Sequence, residues 1–163
     1  MFYFYDLYHF LVFQYEVYLL ENRIAMEDKK EELMLFCKHL GKLFYAVSLI
    51  DNKIKKEEFQ AMEKAITSEL YSMNNTVLME DTTANETIIN TFKQLYFDKA
   101  EAQQCYDDFI SFKSKNESLF TKEIKKVVLK IAGKIASSFS GVNKSELIIL
   151  AKLSIAFKEE KSK

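Results

Sequence analysis

No proline occurs in the 163 residues, and glycine occurs only three times, at Gly41, Gly133 and Gly141. Ordinary chains carry roughly 5% Pro and roughly 7% Gly. Proline stops helices and glycine supplies tight positive-φ turns, so this chain has little with which to break a helix or close a hairpin. Helices joined by short polar turns are the expectation. At this length a 48% apolar content suffices for one domain with its own core. The same scarcity excludes phosphate-cradling loops, which need several bare backbones close to a pyrophosphate. Neither G-x-G-x-x-G nor G-x-x-x-x-G-K-[ST] is present.

Apolar spacing locates the helices. Leu33, Phe36, Leu40, Leu43, Val47 and Ile50 step by three or four, which predicts an amphipathic helix of about five turns. Phe59, Met62, Ile66, Leu70 and Met73 form a second stripe, followed by a polar stretch from Asn74 to Asn85. Thr83 and Glu86 have capping-box spacing ahead of a helix through Ile88, Phe92 and Leu95. Asp98 with Glu101 is expected to open the next helix, turning Ala102, Tyr106, Phe109 and Ile110 inward until Lys113-Ser114-Lys115-Asn116 ends it. Ile124, Val127, Ile131 and Ile135 form another stripe. A turn at Ser140-Gly141 and a cap at Asn143 with Glu146 precede a last helix through Leu147, Leu150, Ser154 and Phe157. The fold class is all-α, a compact bundle of about six to seven helices over 26–158, with a charged, fraying tail at 159–163.

The first 25 residues differ from the rest. Residues 1–20 hold nine of the 23 aromatic side chains and no lysine or arginine. They lack the positive start and small-residue cleavage site of a secretory signal. Three readings stand: a segment appended ahead of a helix that opens at Met26 with MEDKKEEL, a helix packed into the core, or a membrane span. The last sets Asp6, His9, Gln14 and Glu16 in hydrocarbon, each at a cost. Peripheral membrane association is one role open to such a segment.

Charge is unevenly spread. Residues 1–112 hold 11 Lys/Arg against 19 Asp/Glu, a balance of -8, and residues 113–163 hold 12 against 5, a balance of +7. A basic C-terminal third can meet nucleic acid. However, Lys122, Lys125, Lys126, Lys130 and Lys134 recur at helical spacing opposite the apolar stripe, and a solvated helix face accounts for them, so no specific nucleic acid is expected. Cys37 and Cys105 lack C-x-x-C spacing and read as buried, reduced thiols of a cytoplasmic protein. His39 is two residues from Cys37, which on a helix points the two side chains apart and excludes a nucleophile pair.

Two stretches repeat one unit, Leu43 to Ile66 and Leu129 to Leu153, each a helix, a tight turn and a helix. In the first, Asp51 and Asn52 end one helix and Glu58 opens the next; in the second, Ser140, Gly141, Val142 and Glu146 take these places. Asp51-Asn52-Lys53-Ile54 with Glu58 resembles the turn of the TerB-like family of bacterial tellurite-resistance and stress proteins, with Asn in place of the usual Gly. The resemblance covers about Leu33 to Met73 and, less closely, Phe120 to Phe157. It implies an all-helical fold of two related halves, a non-enzymatic role in resistance to toxic oxyanions or chemical stress, and a cation-binding acidic surface.

Asp51, Glu57 and Glu58 are the acidic residues at this turn, and oxygen ligands there suit a hard divalent cation such as calcium. Turn and cap chemistry explains the same residues without a metal. The EF-hand pattern is not met, since Lys53 and Lys55 stand where it needs oxygen ligands. No G-x-S-x-G, H-E-x-x-H or paired-His spacing occurs, so no catalytic residue is assigned. The sequence therefore points to a binding module, with a cation at Asp51 or with a protein partner or a second copy of itself.

Overall fold

The computed structural model describes residues 2–49, 59–60, 63–64, 66–68, 82–137 and 144–158, with most side chains from residue 12 onward. These residues are helical apart from short connections, and no strand occurs among them. The elements are α1 (Phe2–Ser48), α2 (Thr82–Phe97), α3 (Ala102–Lys115), a 3-10 turn (Glu117–Leu119), α4 (Lys122–Ser137) and α5 (Lys144–Lys158), with further helical residues at 59–60, 63–64 and 66–68. The all-α expectation is met. The chain divides into two units, Met1–Leu35 and Phe36–Lys163, and α1 contributes to both.

Met26 does not open a helix, because α1 runs through it without a break. The residues on both sides are helix-compatible and no proline intervenes, so a charged stretch such as MEDKKEEL is carried inside the helix. In the first unit no side chain described from 12 to 35 is buried.

The second unit is built around the remainder of α1. Phe36, Cys37, Leu40, Leu43, Phe44, Tyr45, Ala46 and Val47 are buried, so from Leu43 the helix is enclosed on every side. That enclosure marks a central helix. Helix α2 lays Ala84, Ile88 and Phe92 against the core at i, i+4, i+8. The approach to α1 is close: a Cβ on Gly41 would stand 2.8 Å from the Ile88 carbonyl oxygen and 2.8 Å from Thr91 Cβ. Glycine is required there for space. Helix α3 buries Cys105, Tyr106, Phe109, Phe112 and Lys113. Helix α4 buries Val128, Ile131, Ala132, Ile135 and Ala136, one step round from the expected stripe, leaving Ile124 and Val127 half-buried. Helix α5 buries Ile149, Leu153 and Phe157, and Leu147, expected inward, is 57% exposed.

Rings tie these helices together. Phe120 meets Phe36 edge-on at 5.2 Å, Phe109 at 5.8 Å and Phe157 at 6.0 Å, joining α1, α3 and α5 around the residue after the 3-10 turn. A second group links Tyr45 to Phe92 at 6.0 Å, and Phe59 to Phe92 and Tyr96 at 5.3 and 4.6 Å. Such pairs add about 0.5–1.5 kcal/mol each beyond the area they bury.

The caps are specific. Helix α2 begins at Thr82, so Thr83 lies inside it and its carbonyl accepts the Thr87 hydroxyl. It ends in a Schellman turn: Ala100 N–H donates to Leu95 O, Lys99 N–H donates to Tyr96 O, and Lys99 stands at φ 51°. Tyr45 closes this turn by donating its hydroxyl to Ala100 O at 2.7 Å. Glu101, rather than Asp98, caps α3, its carboxylate accepting the amides of Gln103 and Gln104 at 3.1 and 2.8 Å. Thr121 Oγ1 accepts Ile124 N–H at the start of α4.

The segment expected to end α3 does end it, with Asn116 as the cap, and it also holds the helix's most buried cation. Lys113 is 4% exposed, and its ammonium donates to Ala156 O at 2.6 Å and pairs with Glu117 at 2.7 Å. Ala156 lies in the last turn of α5, where carbonyls have no intrahelical donor, so Lys113 caps α5 from a distant helix. Glu117 also holds Lys125 at 2.9 Å. Burial pushes its carboxyl up, but the two lysines together leave it below the ordinary range.

Candidate functional site

Asp51, Glu57 and Glu58 lie outside the described residues, as do Ile50, Met62, Leu70, Met73 and the Ser140-Gly141 turn. Among the described residues no three His, Cys, Asp or Glu side chains gather as a metal site would require.

The richest set of titratable groups lies between α1 and α3. On α1, His39, Lys42 and Tyr45 follow at intervals of three. On α3, Glu101, Cys105, Asp108 and Phe112 follow at 4, 3 and 4, which aligns them on one side of the helix. Lys42 pairs with Asp108 at 2.6 Å, and Gln104 donates to the other carboxylate oxygen at 2.9 Å. These two bonds hold Asp108 below the usual carboxylate range. His39 stacks on Phe112 with centroids 4.1 Å apart and planes 9° from parallel. Its Nδ1 is buried without a hydrogen-bond partner. Burial, and then the Lys42 charge, lower its pKa to about 4, so the ring is neutral at pH 7.

Neither cysteine is in a disulfide and both thiols are buried, as expected from the sequence. Burial pushes the Cys105 thiol up, so it stays protonated and is a poor nucleophile. Burial likewise raises Tyr45 and Tyr106 to about 12. A neutral imidazole, a protonated thiol and a lysine committed to a carboxylate make a polar lock between two helices. The seam has the residue types of a catalytic site without their activated states. Sequence reasoning weighed His39 against Cys37 and did not align Cys105 with Asp108 on one side of α3; the regular spacing along α3 was the available signal.

A cleft of about 200 Å³ lies beside α5, lined by Gln103, Tyr106, Ser145, Ile148, Ile149 and Lys152. That is below the roughly 300–1,000 Å³ usual for small-molecule sites.

The larger anomaly is apolar. On α1, Phe13, Tyr15 and Tyr18 are 60–62% exposed, and Leu19, Leu20, Ile24 and Met26 are exposed as well. Between residues 12 and 20 the only charged residue is Glu16. Large exposed apolar patches are, in proteins generally, places of association with other molecules. No helix among the described residues is long and apolar enough to cross a membrane. The segment that sequence reasoning set aside as peripheral thus carries the most conspicuous candidate surface. No family model matches the chain, and no curated protein or solved structure is significantly similar to it.

Proposed function

We propose that this chain is a non-enzymatic helical interaction module that binds a protein partner through the exposed apolar face of α1. The observation that carries this reading is the run of large uncovered side chains from Phe13 to Met26 on a continuous helix. Aromatic and β-branched residues are poor helix formers, and an isolated helix in water is marginal, so burial against a partner is the missing stabilisation. The locked polar seam supports the same reading, since its nucleophile and base are held inactive. The test is photo-crosslinking from position 18 or 20 of the full chain in the cells that produce it. Discrete protein adducts, lost with Leu20→Lys, are expected. Crosslinking no greater than from the exposed Phe97 would overturn the reading.

A second reading rests on the Asp51-Asn52-Lys53-Ile54 turn with Glu58: a TerB-like module of stress or tellurite resistance holding a divalent cation at Asp51, Glu57 and Glu58. Calcium at a hundredfold excess over its Kd then stabilises the chain by roughly 2.7 kcal/mol. Asp51→Asn removes that gain, and a melting temperature indifferent to calcium rejects the cation.

A further inference from the structure

We propose that the partner of this face is a second copy of the chain, paired antiparallel along α1 from Phe13 to Ile24; this rests on the interaction reading above and names its partner. Phe13, Val17, Leu20 and Ile24 are spaced 4, 3 and 4, are all exposed, and lie on one helix face. That is the alternation of a coiled-coil seam, with Val17 and Ile24 at the first heptad position and Phe13 and Leu20 at the fourth. Residues at these positions interlock with those of a facing helix, and the positions beside them set its direction.

The neighbours decide between parallel and antiparallel. Gln14 and Glu21 flank the seam on one side, Glu16 and Arg23 on the other, and all four are exposed. In a parallel pair Glu16 faces Glu21 of the second copy, a like-charge contact within the seam, and Arg23 faces Asp28 beyond its end. In an antiparallel pair, first positions meet fourth positions. Val17 then packs on Leu20 of the second copy and Phe13 on its Ile24, and two-fold symmetry repeats both layers. Glu16 then faces Arg23 of the second copy, twice, while Gln14 faces Glu21. Shifting the antiparallel register by one heptad sets Glu16 against its own counterpart in one sense, and in the other sets Arg23 against its own counterpart and Val17 against Glu27. Charge along the seam from Phe13 to Ile24, together with its apolar layers, favours the antiparallel direction and this register.

The same features disfavour an anionic lipid surface. Helices that lie on such membranes carry Lys or Arg on their polar face. Here the positions around the seam include Glu16, Glu21, Glu27 and Asp28, with Arg23 the single Lys or Arg from residue 1 to residue 28. The nucleation cost that makes short coiled coils unstable is met in advance, because α1 continues into residues 36–48, which are fixed in a core.

Sedimentation velocity of the full chain, over two decades of concentration, tests the pairing. A reversible dimer is expected. Glu16→Arg sets two guanidinium groups against each other at both ends of the pair, the introduced one facing Arg23 of the second copy, and should weaken association at least about tenfold. The exchange variant Glu16→Arg/Arg23→Glu should return to within about threefold of the parent. Both positions are exposed and lie outside the second unit, so the thermal melt of that unit's core should not change. A chain that stays monomeric throughout overturns the proposal, as does a Glu16→Arg variant that associates more tightly, the signature of parallel pairing. A weakened Glu16→Arg that the exchange does not rescue also overturns it. Crosslinks from position 20 to a different protein, with a monomeric purified chain, leave the interaction reading standing and remove self-pairing.

Discussion

Residues 12–35 and residues 36–48 are parts of one helix, yet the first stretch has no buried side chain, while in the second every position but Lys38 is buried or half-buried. Local conformation is the same in both, so secondary structure does not explain the difference. Other helices do. The 36–48 stretch meets α2 at Gly41 and α3 at Lys42, and its Phe36 ring meets Phe120. The 12–35 stretch also carries large apolar side chains and buries none of them fully. A helix of this composition becomes stable through what covers it, and in the second unit that cover comes from the unit's own core.

The largest expected effect breaks this comparison directly. Phe44→Ala, at a fully buried position, should cost about 3–5 kcal/mol in urea unfolding, and Leu20→Ala less than about 0.5 kcal/mol in dilute, unassociated chain. Equal costs would mean that the exposed stretch is packed after all. Next, Lys113→Met tests whether the second unit depends on polar ties as well as apolar area. It strands the Ala156 carbonyl and removes one of the two cations on Glu117, at about 2–3 kcal/mol, and a neutral result would assign the core's stability to burial alone.

A paired glycine experiment gauges how tightly helices close on the buried stretch. Gly41→Ala forces α1 and α2 apart, costing about 1–2 kcal/mol net of the gain in helix propensity. Gly133→Ala has nothing within 4 Å to meet and should stabilise α4 by about 0.5–1 kcal/mol. Thermal melts of the two variants should therefore move in opposite directions.

The smallest effect is the pH response of His39. Its folded pKa of about 4 lies below the ordinary 6.5, so the neutral ring belongs to the native state. Stability is complete above pH 6.5. It falls as the pH drops towards 4, because the unfolded chain takes up the proton that the native seam refuses. The ring is half-buried, so the loss should be about 1 kcal/mol, and His39→Phe should flatten that window. An unchanged profile would show that the seam is solvated.

Much of the fold was legible because it follows from period alone. Phe36, Leu40, Leu43 and Val47 were read as one stripe and all are buried. What the stripe could not convey is that Phe44, Tyr45 and Ala46 are enclosed too, since a helix's own pattern is silent about neighbours arriving from every side. In α4 the buried face includes Ala132 and Ala136, whose small side chains leave a faint apolar signal. In α5, Leu147, Ile148, Ile149 and Leu150 follow without a break, so no period can choose among them. Glu101 outcompeted Asp98 as the cap of α3, because the Schellman turn at Lys99 keeps Asp98 with the preceding helix. The end of α3 at Lys113-Ser114-Lys115-Asn116 was legible, but the burial of Lys113 was not, because a charge is normally solvated and the carbonyl that satisfies it lies far along the chain. For the site, the sequence pointed to Asp51, while the exposed face of α1 was visible only as an odd composition.

The Lys113 latch also sets a clock for synthesis. Its acceptor, Ala156, is 43 residues downstream. At about 5–20 residues per second, roughly two to nine seconds separate the two residues as they leave the site of peptide-bond formation. Through that interval the ammonium keeps its water, and the bed that Phe157 will occupy against Phe109 and Phe120 stays open. Helix α5 is the last to dock, and its arrival dries a lysine that was made well before it. The second unit therefore closes only once Ala156 has been made, while the aromatic stretch of α1 has already been exposed to whatever it meets.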